Sequence, residues 1–245
     1  MRRRTLLATA PALAAVAASA PAAQAHPAGH AVTALMAAEL GGTRTAGRIA
    51  ETLEHTLLAR QPATAPLSRL EYVVAFSFGN RLAADGTATP GPMNAALATV
   101  VEHLLRARRV PVYGQWEIAD VLADRGIHDV IRIAPDHDAD GKEIYLSTDG
   151  VALKALQHRA AQGHRGGTAG VIGHRDHAGR CALTIDSHHA AYGTEGRAPA
   201  GLPLPAWYDR DSGQPWTRDA DSFLTADTTG RLALAAQSLQ AMPAA

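Results

Sequence analysis

Short apolar runs alternate with amphipathic stretches along the middle of the chain, and this alternation limits the possible folds more than any other feature. Four runs have the β-branched and aromatic content of buried strands, and they cover 71–78, 109–113, 129–134 and 168–173. Strands that alternate with helices are joined by crossovers that cover the sheet, so the strands are predicted to be parallel. The predicted fold class is α/β: a single domain with a Rossmann-like parallel sheet flanked by helices.

The clearest helix is predicted for residues 92–107. Pro92 suits the first position of a helix, where a missing N–H costs no hydrogen bond, and the apolar residues that follow recur at i, i+3, i+4 and i+7. Further helices are predicted near 45–60, over 116–123, from Ser147-Thr148 to about Ala161, over 177–188 and over 219–240. The Gly- and Pro-rich tail between the last two is expected to fold back on the sheet, because its large aromatic residues seldom lie in solvent.

The first 25 residues have the pattern of a signal peptide. Arginines precede an apolar stretch from Leu6 to Ala20, and Ala23-Gln24-Ala25 supplies the small residues of a cleavage site. Arg3-Arg4-Thr5-Leu6-Leu7 also fits the twin-arginine export signal, which leaves two export routes open. The protein is predicted to be exported, to the cell envelope or outside the cell, with no membrane span after the signal is removed.

Residues 26–68 are interpreted as an N-terminal entry segment and 69–240 as the α/β domain. Basic and acidic residues number 23 each, and arginines leave with the signal segment, so the remaining chain is slightly acidic. Nucleic acid is therefore not a predicted partner. Cys181 is the single cysteine, so no disulfide within the chain is expected.

Candidate site residues follow from one rule: open parallel sheets bind ligands outside the carboxyl ends of their strands. The rule selects polar residues beyond the four predicted strands, namely Gly79, Asn80, Gln115, Glu117, Ser147, Thr148, His174, His177 and Arg180. His177 is predicted as an acid–base residue that Glu117 orients, since imidazole transfers protons near neutral pH. Arg180 is predicted to hold an anion, because guanidinium stays charged. The alternative is that the histidines only cap a helix or pair with Asp176, and that Ser147 is a helix cap.

The spacing of acidic residues and histidines raises two candidate metal sites. Asp136, Asp138, Asp140 and Gly141 have the spacing that opens a calcium loop, but Ser147 stands where the closing Glu belongs, so a weak calcium site and a solvated acidic turn both fit. His174-x-x-His177 with His188-His189 offers imidazoles to zinc, but no Cys pair accompanies them, and no metal ligand is predicted there. The chain has no G-x-S-x-G elbow, Walker loop or G-x-G-x-x-G fingerprint.

From about 71 to 232 the order of features resembles the YdcF-like family, a domain of unknown function that includes the SanA and ElyC envelope proteins. The resemblance is carried by Phe78-Gly79-Asn80, 117–122, Ser147-Thr148 with Ala152, and His177-Ala-Gly-Arg180. It implies a Rossmann-like sheet, an association with the cell envelope, and a pocket lined by Asn80, Glu117, Thr148, His177 and Arg180. It also makes S-adenosylmethionine a candidate ligand.

The chain departs from that family at two places. The Gly-rich turn after the first strand is here Phe76-Ser77-Phe78-Gly79, and the Glu-Asn pair after the threonine is here Asp149-Gly150. The ligand is therefore expected to differ from that of better known members. Two functions are predicted: an enzyme acting on a phosphorylated, nucleotide-like or sugar-containing small molecule, or a non-catalytic protein that binds such a ligand.

Overall fold

A six-stranded parallel sheet forms the centre of the protein, which we describe from a computed structural model of residues 27–40, 42–58, 60–140, 143–144 and 146–240. The predicted signal peptide, residues 1–25, lies outside the described residues. The strands are β1 (Thr64–Ala65), β2 (Tyr72–Ala75), β3 (Arg81–Leu82), β4 (Ala88–Thr89), β5 (Val112–Gln115), β6 (Val130–Ile133), β7 (Gly167–Ile172) and β8 (Thr194–Pro199). All but the β3–β4 hairpin belong to the parallel sheet.

The strand order is β1-β8-β7-β2-β5-β6. From β2 the chain moves outward through β5 and β6, then crosses back to β7 and continues the other way through β8. The direction of winding therefore reverses between β2 and β7. In open α/β sheets the loops beyond such a reversal diverge and leave a crevice for a ligand.

Helices cover both faces of the sheet. They are α1 (Pro27–Leu40), α2 (Thr43–Leu53), α3 (Pro92–Ala107), α4 (Trp116–Asp124), α5 (Thr148–Ala161), α6 (Arg175–Ser187), α7 (His189–Tyr192) and α8 (Ala220–Gln240), and a π-helical turn, Glu54–Leu58, extends α2. Val73 and Ala75 of β2 pack in the apolar layer under α3 and α4, whereas Tyr72 and Val74 pack in the layer under α5 and α6. Neighbouring strand residues point to opposite faces, so β2 is apolar throughout.

The predicted fold class is confirmed: all four predicted strands lie parallel in one sheet, and the 92–107 helix has its predicted bounds. The prediction lacked β8, because Thr194–Pro199 has no apolar run and contains Gly196 and a proline. This strand pairs with β7 and packs closely on α6, since a Cβ at Gly196 would lie 2.7 Å from the carbonyl oxygen of Ala182. The prediction also lacked α1. Within the described residues, no helix has the length and apolar character needed to cross a membrane.

The tail between β8 and α8 folds back across the carboxyl edge of the sheet. Arg175 N donates to the carbonyl of Pro205 at 2.8 Å, and Gly213 N donates to the carbonyl of Asn80 at 2.7 Å. Arg81 makes two hydrogen bonds to Asp209, at 2.8 and 2.7 Å. These contacts fix the tail over the loops that follow β2 and β7. Burial of its aromatic residues is incomplete, since Trp207 and Trp216 remain 47% and 40% exposed.

Candidate functional site

A cleft opens at the reversal point of the sheet. Its narrow inner end, about 40 Å³, is walled by residues from four strand-to-helix connections and from the tail: Ser77, Phe78, Gly79, Gln115, Glu117, Leu146, Thr148, His177, Arg180, Gln214, Trp216, Thr217 and Phe223. An outer part of about 370 Å³ adjoins it and shares Arg180, Trp216 and Phe223. The inner end holds little more than one or two water molecules. A ligand would therefore occupy mainly the outer part and reach inward with a small polar group.

The loop after β2 is held in place by Asn94, the third residue of α3. The Asn94 side chain is fully buried, accepts a hydrogen bond from Phe78 N at 2.9 Å and donates one to the carbonyl of Gly79 at 2.7 Å. Gly79 has a φ of +71°, and a Cβ there would lie 2.6 Å from Ser212 Oγ. Glycine is required here by both backbone conformation and the closeness of the tail.

Glu117 is a buried carboxyl in the first turn of α4. It is 3% exposed, and Oε2 accepts a hydrogen bond from Ser77 Oγ at 2.5 Å. Gln115 Oε1 accepts from Ser77 N at 3.1 Å and fixes the serine backbone. Burial raises the pKa of Glu117 to about 7, although the Ser77 hydrogen bond opposes the rise. Glu117 is thus a carboxyl whose charge changes near neutral pH.

His177 is also buried, but its ionisation is shifted the other way. The rings of Phe76, Phe78 and Phe223 lie around it, with centroids 6.5, 6.2 and 5.6 Å away. Burial, and then the nearby charge of Arg180, lower the pKa of His177 to about 4. Its Nε2 lies 3.4 Å from Thr148 Oγ1. The imidazole is therefore neutral at physiological pH.

The carboxylate beside His177 is Asp227 of α8, and not Glu117 as the sequence predicted. Asp227 Oδ1 lies 3.9 Å from His177 Nδ1, which is longer than a hydrogen bond. The two residues come from helices that pack against each other. Glu117 instead binds Ser77. The orienting role predicted for Glu117 is not what this geometry provides.

Arg180 follows His177 on the same face of α6, three residues on. Its Nε donates to Asp227 Oδ1 at 2.5 Å, and its Nη1 donates to Thr148 Oγ1 at 3.0 Å. Asp227 is fully buried and also contacts Arg231 at 2.6 Å and Arg60 at 3.4 Å. Burial acts to raise the pKa of Asp227, but the hydrogen bond and the charge of Arg231 oppose burial and hold that pKa below its usual range. One carboxylate thus faces three guanidinium groups, which leaves a net positive charge beside the cleft.

The remaining predicted site residues lie outside the cleft walls. Ser147 caps α5, where its Oγ accepts from Gly150 N at 3.0 Å. His174 is fully buried and stacks on Phe78 at 4.1 Å between centroids, and its Nδ1 accepts from Asp176 N at the start of α6. The backbone carbonyl of Asn80 accepts a hydrogen bond from Gly213 N of the tail. Of the predicted residues, the structure brings together Gly79, Gln115, Glu117, Thr148, His177 and Arg180.

Four residues that matter to the site were missed by sequence analysis: Ser77, Asn94, Trp216 and Asp227. Ser77 had a weak signal, since it lies in the first strand-to-helix connection. Asp227 lies four residues before Arg231 on α8, a spacing that usually marks a solvated ion pair on a helix surface. Nothing in the sequence distinguishes this buried pair from an exposed one.

The acidic loop considered for calcium does not gather its carboxylates. Asp136 Oδ1 pairs with Lys154 Nζ at 2.7 Å, and Asp138 Oδ1 accepts from Asp140 N at 3.0 Å in a local turn. Across the part of the chain that the structure describes, no three His, Cys, Asp or Glu side chains are placed to hold a metal ion. The positive charge that Asp136 contacts therefore comes from Lys154.

A larger cleft, about 650 Å³, lies at the opposite edge of the sheet, between the ends of α3 and α4. Arg109 and Asp129 in its wall are 3.8 Å apart, and both side chains are 90% exposed. Solvent screens such charges and leaves them little power to bind or react. The smaller cleft contains Glu117 and His177, two buried groups whose pKa values are strongly shifted, which is the pattern of functional sites.

Comparison of the chain with protein-family models, with curated proteins and with solved structures found no match in any of the three.

Proposed function

We propose that this is an exported, YdcF-like protein of the cell envelope or the extracellular space that binds an anionic small molecule at the carboxyl edge of its sheet. The ligand is phosphorylated, nucleotide-like or sugar-containing. The main support is the position of Arg180, a half-buried cation at the junction of the inner and outer parts of the cleft. The first turns of α4 and α5 and residues in the first two turns of α6 converge on the same space, and helix N-termini favour anions.

The outer part of the cleft fits a ring-bearing ligand. Trp216 and Phe223 both border it beside Arg180. A sugar or base can lie against these aromatic side chains while its anionic group reaches the guanidinium. The combination of one cation with aromatic walls supports a phosphorylated sugar or a nucleotide over a free inorganic ion.

If the protein is an enzyme, the roles of the two predicted catalytic residues are exchanged. His177 is neutral and buried, so it serves as a hydrogen-bonding group beside Thr148. Glu117, whose pKa is raised to about 7 by burial, is the better acid–base group, because such a group is most effective near its own pKa. The second candidate function, a non-catalytic binding protein, uses the same cleft with Glu117 as a binding group.

S-adenosylmethionine, which the family resemblance implies, does not fit the residues present. Rossmann-like sites bring a nucleoside against a Gly-rich turn after the first central strand. Here that turn contains the bulky Phe78, which is 4% exposed. The tail fills the space beside Gly79, where a Cβ would lie 2.6 Å from Ser212 Oγ and 2.8 Å from Thr217 Oγ1. We therefore assign no step to this cofactor.

Calorimetric titration with ribose 5-phosphate and adenosine monophosphate tests the proposed function. Arg180→Lys should weaken binding roughly tenfold or more, because lysine cannot replace the two-pronged contact of guanidinium. Arg109→Lys, at the exposed opposite edge, is the matched control and should bind like the wild type. Equal affinity of all three proteins would contradict the proposal. Mass spectrometry of the incubated ligand then separates an enzyme, which changes the ligand, from a binding protein.

A further inference from the structure

We propose that the anionic group of a ligand reaches the inner end of the cleft together with a proton, which Glu117 carries as a hydrogen-bond donor to that group. This inference rests on the anion site proposed above and adds the condition under which it fills. Glu117 is then a specificity-determining residue, because the site favours an anion that binds while the Glu117 carboxyl is protonated or that supplies the proton itself.

The small size of the inner cavity keeps any anionic group inside it close to the Glu117 carboxyl. The cavity is about 40 Å³, and Glu117, Thr148 and Arg180 are all in its wall. An anion oxygen that reaches Arg180 through this space has no room for intervening layers of water. Two negative charges inside one small cavity of low dielectric constant repel strongly. A protonated carboxyl removes the repulsion and offers a donor in its place.

The charges around Glu117 do not neutralise it. In the described part of the chain no cation pairs with Glu117. Asp120 on the same helix and Glu143 between β6 and α5 are acidic, and both favour the protonated form of Glu117. Arg132 of β6 is close enough to act on Glu117 electrostatically, but its hydrogen bonds go to Asp120, at 2.6 and 3.0 Å.

The α6 groups in the same cavity wall as Glu117 do not supply a free positive charge, so only protonation can neutralise the Glu117 carboxyl. His177 is neutral, because its pKa lies near 4, and Arg180 is shared with Asp227. A buried carboxylate without a cation is costly. The pKa of Glu117, raised to about 7 by burial, is consistent with a carboxyl that is readily protonated under working conditions.

Sulfate is the most suitable probe, because it remains an unprotonated dianion from about pH 5.5 to about pH 8.5. A phosphate group, in contrast, gains or loses a proton near pH 6. Sulfate affinity should be level below about pH 7 and fall by up to tenfold per pH unit above it. Calorimetry in buffers of different ionisation enthalpy should show uptake approaching one proton per sulfate in the upper range. Phosphate, which can bring its own proton, should show a smaller fall.

Two variants and a control locate the proton. Glu117→Gln should make sulfate affinity independent of pH and abolish proton uptake, while Asp129→Asn, at the exposed opposite edge, should behave like the wild type. Ser77→Ala keeps the carboxyl but removes the hydrogen bond that favours its ionised form, so the fall should begin at higher pH. This second variant keeps the test decisive if Glu117→Gln folds poorly.

The outcomes separate this inference from the proposed function. If sulfate binds in an Arg180-dependent way but Glu117→Gln and Ser77→Ala keep the wild-type pH profile, the proton coupling is wrong and the anion site stands. If neither sulfate nor a phosphorylated sugar binds at any pH, both proposals are wrong.

Discussion

The chemistry of individual residues in this cleft is set more by burial than by residue type. Glu117 and His177 lie in the same cavity wall, yet burial raises the pKa of the carboxyl to about 7 and lowers the pKa of the imidazole to about 4. In each case burial disfavours the charged form. The residue expected to titrate near neutral pH is consequently the glutamate, although the sequence pointed to the histidine.

Glu117→Gln should stabilise the protein at neutral pH, independently of any ligand. The folded carboxyl titrates near 7 and the unfolded one near 4.5, so between these values the native state binds more protons and the free energy of unfolding falls as pH rises. The variant lacks this loss, and its advantage over wild type should grow by up to about 3 kcal/mol from about pH 4.5 to about pH 7.5. Urea unfolding across this range measures the difference.

Comparison with the variant is necessary because His177 opposes the effect in wild type. Its folded pKa lies below its unfolded value, so its contribution to stability is lost as pH falls from about 6.5 to about 4. The two windows overlap, and the wild-type curve alone can look flat. An advantage of Glu117→Gln that stays constant with pH would show that Glu117 titrates normally in the folded state.

At the scale of elements, the contact between α6 and α8 holds the site together. Gly179, between His177 and Arg180, lets Arg60 and Arg231 approach α6: a Cβ there would lie 2.0 Å from the Arg60 carbonyl oxygen and 2.9 Å from Arg231 Nη2. The close approach brings Asp227 of α8 to Arg180. Gly179 lies within α6, and it is required because the neighbouring chain packs too closely to leave room for a Cβ.

Gly179→Ala should destabilise the protein by roughly 1–3 kcal/mol, since a methyl group forced into a filled space shifts the backbone around it. It should also weaken binding of a phosphorylated sugar, because Arg180 moves with α6. Gly47→Ala on α2 is the control: no atom lies within 4 Å of its added Cβ, and it should raise stability by roughly 0.5–1 kcal/mol. Urea unfolding and calorimetry measure both effects, and a neutral or stabilising Gly179→Ala would contradict the packing argument.

For the whole molecule, the sequence was sufficient for four of the six strands of the sheet but not for the details of the site. Apolar runs and helical periodicity predicted four parallel strands, and the carboxyl-edge rule then selected Glu117, Thr148, His177 and Arg180 from three strand-to-helix connections. Features that depend on long-range contacts left no such pattern. The strand β8 is specified by pairing with β7, and Asp227 becomes part of the site only when α8 packs on α6.

The same limit explains the misplaced residues. Asn80 and His174 adjoin strand ends like their neighbours, but the tail binds the Asn80 carbonyl and covers His174 through the carbonyl of Trp207 at 3.1 Å. A sequence pattern shows which loops meet at an edge. It does not show which side chains a distant segment will cover.

The anion site is tested most directly by a crystal structure of the protein grown with selenate near pH 6, with the selenium located by anomalous scattering. We expect selenate in the small cleft at the reversal point of the sheet, with oxygens within hydrogen-bond distance of Arg180 and close to Thr148 and Glu117. Selenate bound only in the larger cleft beside Arg106 and Arg109, with none at Arg180, would contradict it.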